Sequence, residues 1–431
     1  MKLKTNITKM VGEVAVPGDK SISHRSIMLG VMAHGTTVIN NFLLAEDCLE
    51  TVILFKTLGA EIEVDSETAT VTIKGGGLQS LTQPNEDLYV GNSGTTMRLG
   101  LGVLSGVPFM TRFKGDDSLT KRPMERVMAP LREMMAITFA ENGGDTPPII
   151  MLGTSRLRGR THKMTIASAQ VKSAILLAGL SATGETVVEE LEKTRNHTEQ
   201  MIRQFGGELT VSGKTIRLMG PQVLTGTTVV VPGDISSAAY FIAAGILIKD
   251  SELTLPNVGL NPTRTGILDV LKTMGAQYDI KNKTDGPEPR GTISVTTSEL
   301  KGTTIEGEII PTLIDELPII ALLATQAKGK TIIKDASELK VKETNRIDLT
   351  AQELNKMGAK VTPTEDGLII EGPTPLKGAH VSSHGDHRLG MMLAIAALLV
   401  KEGDVELENV DSIRVSYPSF IEDLSNLIEG K

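Results

Sequence analysis

Tryptophan is absent from this 431-residue chain, and aromatic residues make up only 3% of it. Stacking platforms for single-stranded nucleic acid are therefore not expected. The single cysteine, Cys48, rules out an intrachain disulfide framework and any four-Cys zinc site. It fits a reducing cytosol, and helical spacing in AEDCLETVILF points it toward packing. Positive charge is also scarce. The 44 Lys and Arg against 52 Asp and Glu leave −8, which argues against a general nucleic-acid binder. No apolar run is long: Leu389 to Val400 is too short to span a bilayer and reads as a buried helix. The opening MKLKTNITKMVGEVAVPGDK has neither the apolar core of a signal peptide nor the composition of a transit peptide. The chain as written is expected in the cytoplasm, with no membrane partner.

Missing motifs narrow the chemistry further. There is no GxxxxGK[ST], no GxGxxG after a strand, and no HExxH. GDHR offers one Asp and one His, without a second ligand cluster at metal spacing. No metal is expected.

What the chain does have is glycine, 43 residues or about a tenth of the total, and a soluble balance of 40% hydrophobic to 22% charged residues. Its length suggests two or three domains. Six stretches share one grammar. They are GDKSISHRSIMLGVMAHGTTVINN, GNSGTTMRLGLGVLSGVPFMTRF, SAQVKSAILLAGLSATGETVVEEL, GDISSAAYFIAAGILIKDSELTLPNV, IDELPIIALLATQAKGKTIIKDA and GDHRLGMMLAIAALLVKEGDVELENV. Each begins with a residue able to cap a helix: Asp19, Asn92, Ser168, Asp234, Asp315 and Asp386. An apolar helix, a polar break and a β-branched strand follow. The anchors lie 73, 76, 66, 81 and 71 residues apart, which suits a unit of two helices and about four strands.

A second, amphipathic helix ends alike in most copies: LFKTLGAEIEV, LREMMAITF, IRQFGGELTV, LKTMGAQYDI and LNKMGAKVTP. Met135-Ala136 breaks the Gly-Ala pattern, and a last copy runs from Ser419 to Gly430. VAVPGDKS at Val14 and VVVPGDIS at Val229 open the first and fourth units. The expectation is an α/β protein of two similar domains with three repeats each. Residues 18–231 would form one domain, and 1–17 with 232–431 the other. Hinges would lie near 17–18 and 232–233.

The first helix of each unit is apolar nearly all round and should be buried, with its N-terminus offering free N–H groups. Two facing domains would direct six such ends into one cleft, an anion trap. Polar residues follow these starts: Lys20, Ser21 and Arg25; Arg98 after GNSGTT; Gln170 and Lys172; His387 and Arg388. Further cations stand in DDSLTKRPMER (Lys121, Arg122), KTRNHTEQ (Arg195) and ELKVKETNR (Lys340, Lys342, Arg346). This pattern suits a small polyanion.

Each residue alone has a structural alternative. Arg98 would pair with Asp116 or Asp117; Lys342, Glu343 and Arg346 would form an exposed helical ladder; Ser21, Ser23 and Ser93 would only cap. The acid–base candidates are Asp315, in an apolar setting beside Glu316 where one of the two would have a raised pKa and where helix capping is the structural alternative, and Glu343 between Lys342 and Arg346. His24 and His387 flank the anion-binding residues, where a structural role competes with proton transfer.

Together PGDKSISHR, GNSGTTMR, DDSLTKRPM, IASAQVKSA, TRNHTE, VPGDISSAAY, LIDELP, LKVKETNR, GDHRLGMM and SYPSF resemble the 3-phosphoshikimate 1-carboxyvinyltransferases, or 5-enolpyruvylshikimate-3-phosphate synthases. They span nearly the whole chain in the family's order. The resemblance implies the enolpyruvyl transferase fold, two domains of three βαβαββ units. It implies transfer of the enolpyruvyl group from phosphoenolpyruvate to the 5-hydroxyl of shikimate 3-phosphate, with no metal or organic cofactor, by a monomer.

Carried over by motif, Lys20, Ser21, Arg25, Ser168, Gln170, Arg195, Asp315 and Lys342 would hold shikimate 3-phosphate. Lys20, Gly94, Thr95, Arg122, Gln170, Arg346 and Arg388 would hold phosphoenolpyruvate. Asp315 would be the base, and Glu343 with Lys20 would serve protonation. Some positions depart from the family's best-known pattern. Arg414 stands where a Lys is usual, Ala169 replaces a second Ser, and an Asn is replaced near Glu338. Gly94 keeps the small residue that inhibition by glyphosate requires. The same-fold rival, UDP-N-acetylglucosamine enolpyruvyl transferase, usually has a catalytic Cys in the loop that here reads DDSLTKRPM. A non-catalytic anion-binding protein would need no carboxylates such as Asp315 and Glu343 beside its anion site.

Overall fold

The computed structural model describes residues 1–429. The chain divides into two compact units, Gly18–Val231 and the pair of segments Met1–Pro17 and Pro232–Lys431. They are called here the continuous and the split unit. Gly430, the last residue of the final helical copy, lies outside the described residues.

Six apolar helices form the cores: Lys20–Met32, Gly94–Leu104 and Ala169–Gly179 in the continuous unit, then Ile235–Leu247, Leu317–Gln326 and His387–Leu398 in the split unit. A helix apolar on every side gains by being covered on every side, and every residue of His387–Leu398 is buried. Small residues let the helices approach. A Cβ on Gly102 would lie 2.7 Å from Ala174 Cα, so the second and third helices touch backbone to backbone. Aromatics are scarce but concentrated: Tyr240, Phe241, Tyr417 and Phe420 pack in the split unit with ring centroids 5.4–6.0 Å apart.

Five sheets repeat one order. In the third repeat, Thr161–Lys163 runs parallel to Gly184–Glu189, which pairs antiparallel with Thr215–Gly220 and through it with Thr210–Ser212. A parallel pair needs a crossover, and the buried helix Ala169–Gly179 supplies it. The first and fourth repeats take their leading strand from elsewhere in the chain. Thr228–Val230 pairs with Ala33–Asn40, and Val11–Glu13 pairs with Glu252–Gly259. The sixth copy departs from the six-part pattern: Ala379–Ser382 and Val405–Glu408 form a two-stranded sheet. Lys2 bridges Glu406 in antiparallel sense, on the edge where siblings place a later strand of their own.

Two expected helix caps are corrected. Ser93, not Asn92, caps the second buried helix, with its side chain accepting from Thr96 N. The fifth helix begins at Leu317 after Glu316, so Asp315 precedes the cap position. Neither side chain is used up in capping its helix. Asp19, Ser168, Asp234 and Asp386 do cap theirs.

The amphipathic helices end as the repeated Gly suggests. Gly59, Gly206, Gly275 and Gly358 have φ of 82° to 91°, the left-handed stop that glycine adopts without a Cβ penalty. Met135 holds the same place with φ 84° and half-exposed side chain. Met135→Gly should therefore raise stability by about 1 kcal/mol, and thermal denaturation should show a midpoint higher by about 2 °C. Among the described residues no helix is long and apolar enough to cross a membrane.

Candidate active site

In the continuous unit, the first helix start is held by Asp19, whose carboxylate accepts from Ile22 N at 2.9 Å. Lys20 reaches away from the helix to Asp47, Nζ to Oδ2 2.8 Å, with 16% of its side chain exposed. One turn on, Arg25 donates to Thr198 Oγ1 and Ser173 Oγ, both at 2.7 Å, and to Ser21 O at 3.0 Å. Arg195 approaches the same turn, NH1 to Ser21 Oγ 3.4 Å. His24 is buried, its Nδ1 2.7 Å from Thr51 Oγ1. Burial, then Lys20 and Arg25, push its pKa well below the usual histidine value, so it is neutral. That favours the structural role for His24.

The second helix start gathers a different group. Arg98 donates to Gln170 Oε1 at 2.5 Å and to Pro123 O at 3.1 Å, and Gln170 donates to Thr95 Oγ1 at 3.0 Å. The second and third helix starts are thereby joined through Gln170. Arg122 is buried, its guanidinium donating to Asn92 Oδ1 at 2.6 Å and Ser118 Oγ at 3.2 Å. Asn92 in turn donates to Asp116 Oδ2 at 2.8 Å. A Cβ on Gly94 would stand 3.2 Å from Arg122 NH1, a tight approach to the guanidinium. The cap residue Ser168 accepts from Val171 N at 3.4 Å.

In the split unit, charges interlock around two aspartates. Arg346 is 1% exposed and grips Asp386 with both arms, Nε to Oδ2 2.7 Å and NH2 to Oδ1 3.1 Å. It also binds Glu343, and its NH1 lies 3.4 Å from Asp315 Oδ1. Lys342 Nζ stands 3.6 Å from the same oxygen, and Arg388 NH2 3.6 Å from Asp315 Oδ2. A single carboxylate thus faces three cations. Burial opposes the charge of Arg346, but Asp386 and Glu343 outweigh it and hold its pKa above the ordinary value. For Arg388 burial is likewise outweighed, by Asp315 and then Tyr240 and Glu316. The exposed-ladder alternative for Lys342, Glu343 and Arg346 fails, because Arg346 is buried.

Guanidinium, ammonium and carboxylate groups thus gather at the helix starts of each unit. The family described as EPSP synthase (3-phosphoshikimate 1-carboxyvinyltransferase) matches residues 4–424. The 3-phosphoshikimate 1-carboxyvinyltransferase of Listeria monocytogenes serovar 1/2a is 57% identical over 430 residues, all of this chain and all of that one. The chain belongs to the EPSP synthase family. A relative of the same name from Enterococcus faecalis is 58% identical over 427 residues, 99% of this chain and 100% of that one. The structure of EPSP synthase from Acinetobacter baumannii is 42% identical, with a TM-score of 0.87 covering 99% of this chain and 97% of that one. Membership in the EPSP synthase family decides against the same-fold UDP-N-acetylglucosamine rival.

Sequence reasoning missed several members of these networks. Asp386 reads as a cap, yet it is also the carboxylate that aligns Arg346. Arg264, in NPTRTG, is buried against Asp234 (3.0 Å) and Ser236 (2.7 Å), and Ser236 donates to Glu316. Nothing in its local sequence marks it. Asp47, which no motif marks, is the partner of Lys20. Lys172, counted with the anion-binding cations, is instead wholly buried in ion pairs. Lys121, Lys340 and Arg414 are exposed.

Proposed function

We propose that this chain transfers the enolpyruvyl group of phosphoenolpyruvate to the 5-hydroxyl of shikimate 3-phosphate and releases phosphate. The observation that carries the reading is Asp315, a buried carboxylate facing Lys342, Arg346 and Arg388 at 3.4–3.6 Å in a chain of this family. A pure anion binder has no use for a carboxylate there, whereas a base that must take up and release a proton does.

In the proposed mechanism Asp315 takes the proton of the 5-hydroxyl as that oxygen bonds to C2 of phosphoenolpyruvate. Glu343 and Lys20 serve the protonation of the methylene carbon, giving a methyl group and a tetrahedral intermediate. The Glu343 and Lys20 pair then takes back a methyl proton, which re-forms the double bond as the C2–O bond to phosphate breaks. Lys20, Ser21, Arg25, Ser168, Gln170, Arg195, Asp315 and Lys342 are assigned to shikimate 3-phosphate. Lys20, Gly94, Thr95, Arg122, Gln170, Arg346 and Arg388 are assigned to phosphoenolpyruvate. Fixed guanidinium and N–H donors stabilise the developing charge. These are proton transfers coupled to addition and elimination at C2, with no change of redox state, and the proposed mechanism invokes no metal or organic cofactor. It places a monomer in the cytoplasm, on the shikimate route to aromatic amino acids.

Mixing the protein with both substrates should release phosphate only when both are present. Thermal stabilisation by the substrates without phosphate release would instead mark a binding protein and overturn the reading.

A further inference from the structure

Lys172 has no part in the proposed chemistry, yet it is the most completely buried cation of the continuous unit. It stands in the first turn of Ala169–Gly179, with 0% of its side chain exposed. Its ammonium donates to Glu199 Oε1 at 2.7 Å, Glu190 Oε1 at 3.0 Å and Thr194 O at 3.3 Å. An ammonium has three N–H groups, so these bonds use them all. They tie together three pieces of chain: the third buried helix, the turn 190–196, and the short helix His197–Gln204. A Met would fill the same volume without the cost of desolvating a charge. The charge therefore serves geometry.

What it arranges is visible in the turn. Glu190 Oε1 accepts from Thr194 N at 3.0 Å and Thr194 Oγ1 at 2.6 Å, besides Lys172. Thr194 is thus held through its N–H, its carbonyl and its hydroxyl. The next residue is Arg195, whose NH1 reaches Ser21 Oγ at 3.4 Å. Arg25 reinforces the arrangement from the other side, donating to Thr198 and Ser173, which bond to each other at 2.7 Å.

We propose that Lys172 is a positioning residue for phosphate recognition, fixing the 190–196 turn so that Arg195 stands beside Ser21. The inference rests on the assignment of Arg195 and Ser21 to shikimate 3-phosphate. Lys172 touches no substrate and acts through Glu190 and Thr194.

Steady-state kinetics on Lys172→Met, Arg195→Ala, the double variant and Thr194→Val test it. Lys172→Met should raise KM for shikimate 3-phosphate about tenfold, the scale of coupling between contacting groups, and leave KM for phosphoenolpyruvate within about twofold. In the Arg195→Ala background the same substitution should change KM for shikimate 3-phosphate by less than about twofold, because its intermediary is gone. Thr194→Val strands no buried charge, and should give a smaller rise of about threefold if Lys172→Met does not fold.

Equal rises in both backgrounds would overturn the inference. So would a lowered melting temperature with KM for shikimate 3-phosphate unchanged. If Arg195→Ala itself leaves that KM unchanged, the assignment of Arg195 falls and takes the inference with it. If Arg195→Ala raises it while Lys172→Met or Thr194→Val does not, only the inference falls.

Discussion

Asp315→Asn should fold, bind both substrates and turn over about a thousandfold more slowly, the scale of a lost general base. The substitution keeps the size of the side chain and one oxygen for Arg346 and Lys342, which stand 3.4 and 3.6 Å from Oδ1. It removes the basic lone pair and the negative charge, and sets an amide NH2 in place of the oxygen 3.6 Å from Arg388 NH2. Three cations then have one anion fewer to balance them, so dissociation constants for the anionic substrates should stay level or fall. Loss of turnover together with undiminished binding is the signature of a group that acts in the transition state. Calorimetric binding and phosphate release on the same preparation read both quantities. Wild-type turnover in Asp315→Asn would remove it from the chemistry. Substrate binding weakened as much as turnover would leave Asp315 its contact with shikimate 3-phosphate and remove it as the base.

The repeat was legible because it is written locally. Helical burial follows from apolar residues on every side, a helix stop from glycine, and a strand from β-branched residues, each within a dozen positions. The misplaced caps show the limit of that reading. Asn92 and Ser93 are both good caps, and only the backbone at Ser93 decides between them. Met135 shows another: a left-handed stop is a property of the chain, and a residue that dislikes it is tolerated where its siblings carry glycine.

The charged networks were legible as cations but not as pairs. The partners Lys20 and Asp47 are 27 positions apart, and Arg346 and Asp386 are 40 apart. No periodicity joins such residues; the sheets and helices between them do. Lys172 and Gln170 illustrate the cost, since two positions on one helix separate a wholly buried ion pair from a side chain that reaches Thr95 and Arg98.

The same pairing argument predicts the second large effect. Arg346→Lys keeps the charge and should still lower kcat/KM for phosphoenolpyruvate by at least about a hundredfold. A guanidinium presents donors on three nitrogens in one plane. Here it spans Asp386 with Nε and NH2, reaches Glu343 with NH2, and points NH1 toward Asp315. An ammonium is a single point on a shorter reach. It can sit against Asp386 or near Asp315, and whichever it leaves becomes a buried carboxylate short of a partner.

If the introduced ammonium settles on Asp386, Asp315 loses the nearest of its three cations, and an anionic substrate loses a planar donor. If it moves outward, Asp386, at 0% exposure beneath the start of His387–Leu398, keeps Arg388 N and Thr344 Oγ1 as donors but loses its guanidinium bonds. Either way the protein should lose about 2 kcal/mol of stability, the scale of charge-assisted hydrogen bonds left unmade. The decisive comparison is between the two readouts. A lowered melting temperature with unchanged kcat/KM for phosphoenolpyruvate would make Arg346 a brace for Asp386 alone. A loss confined to kcat/KM would show that the fork is aimed at substrate and that the aspartate finds other support.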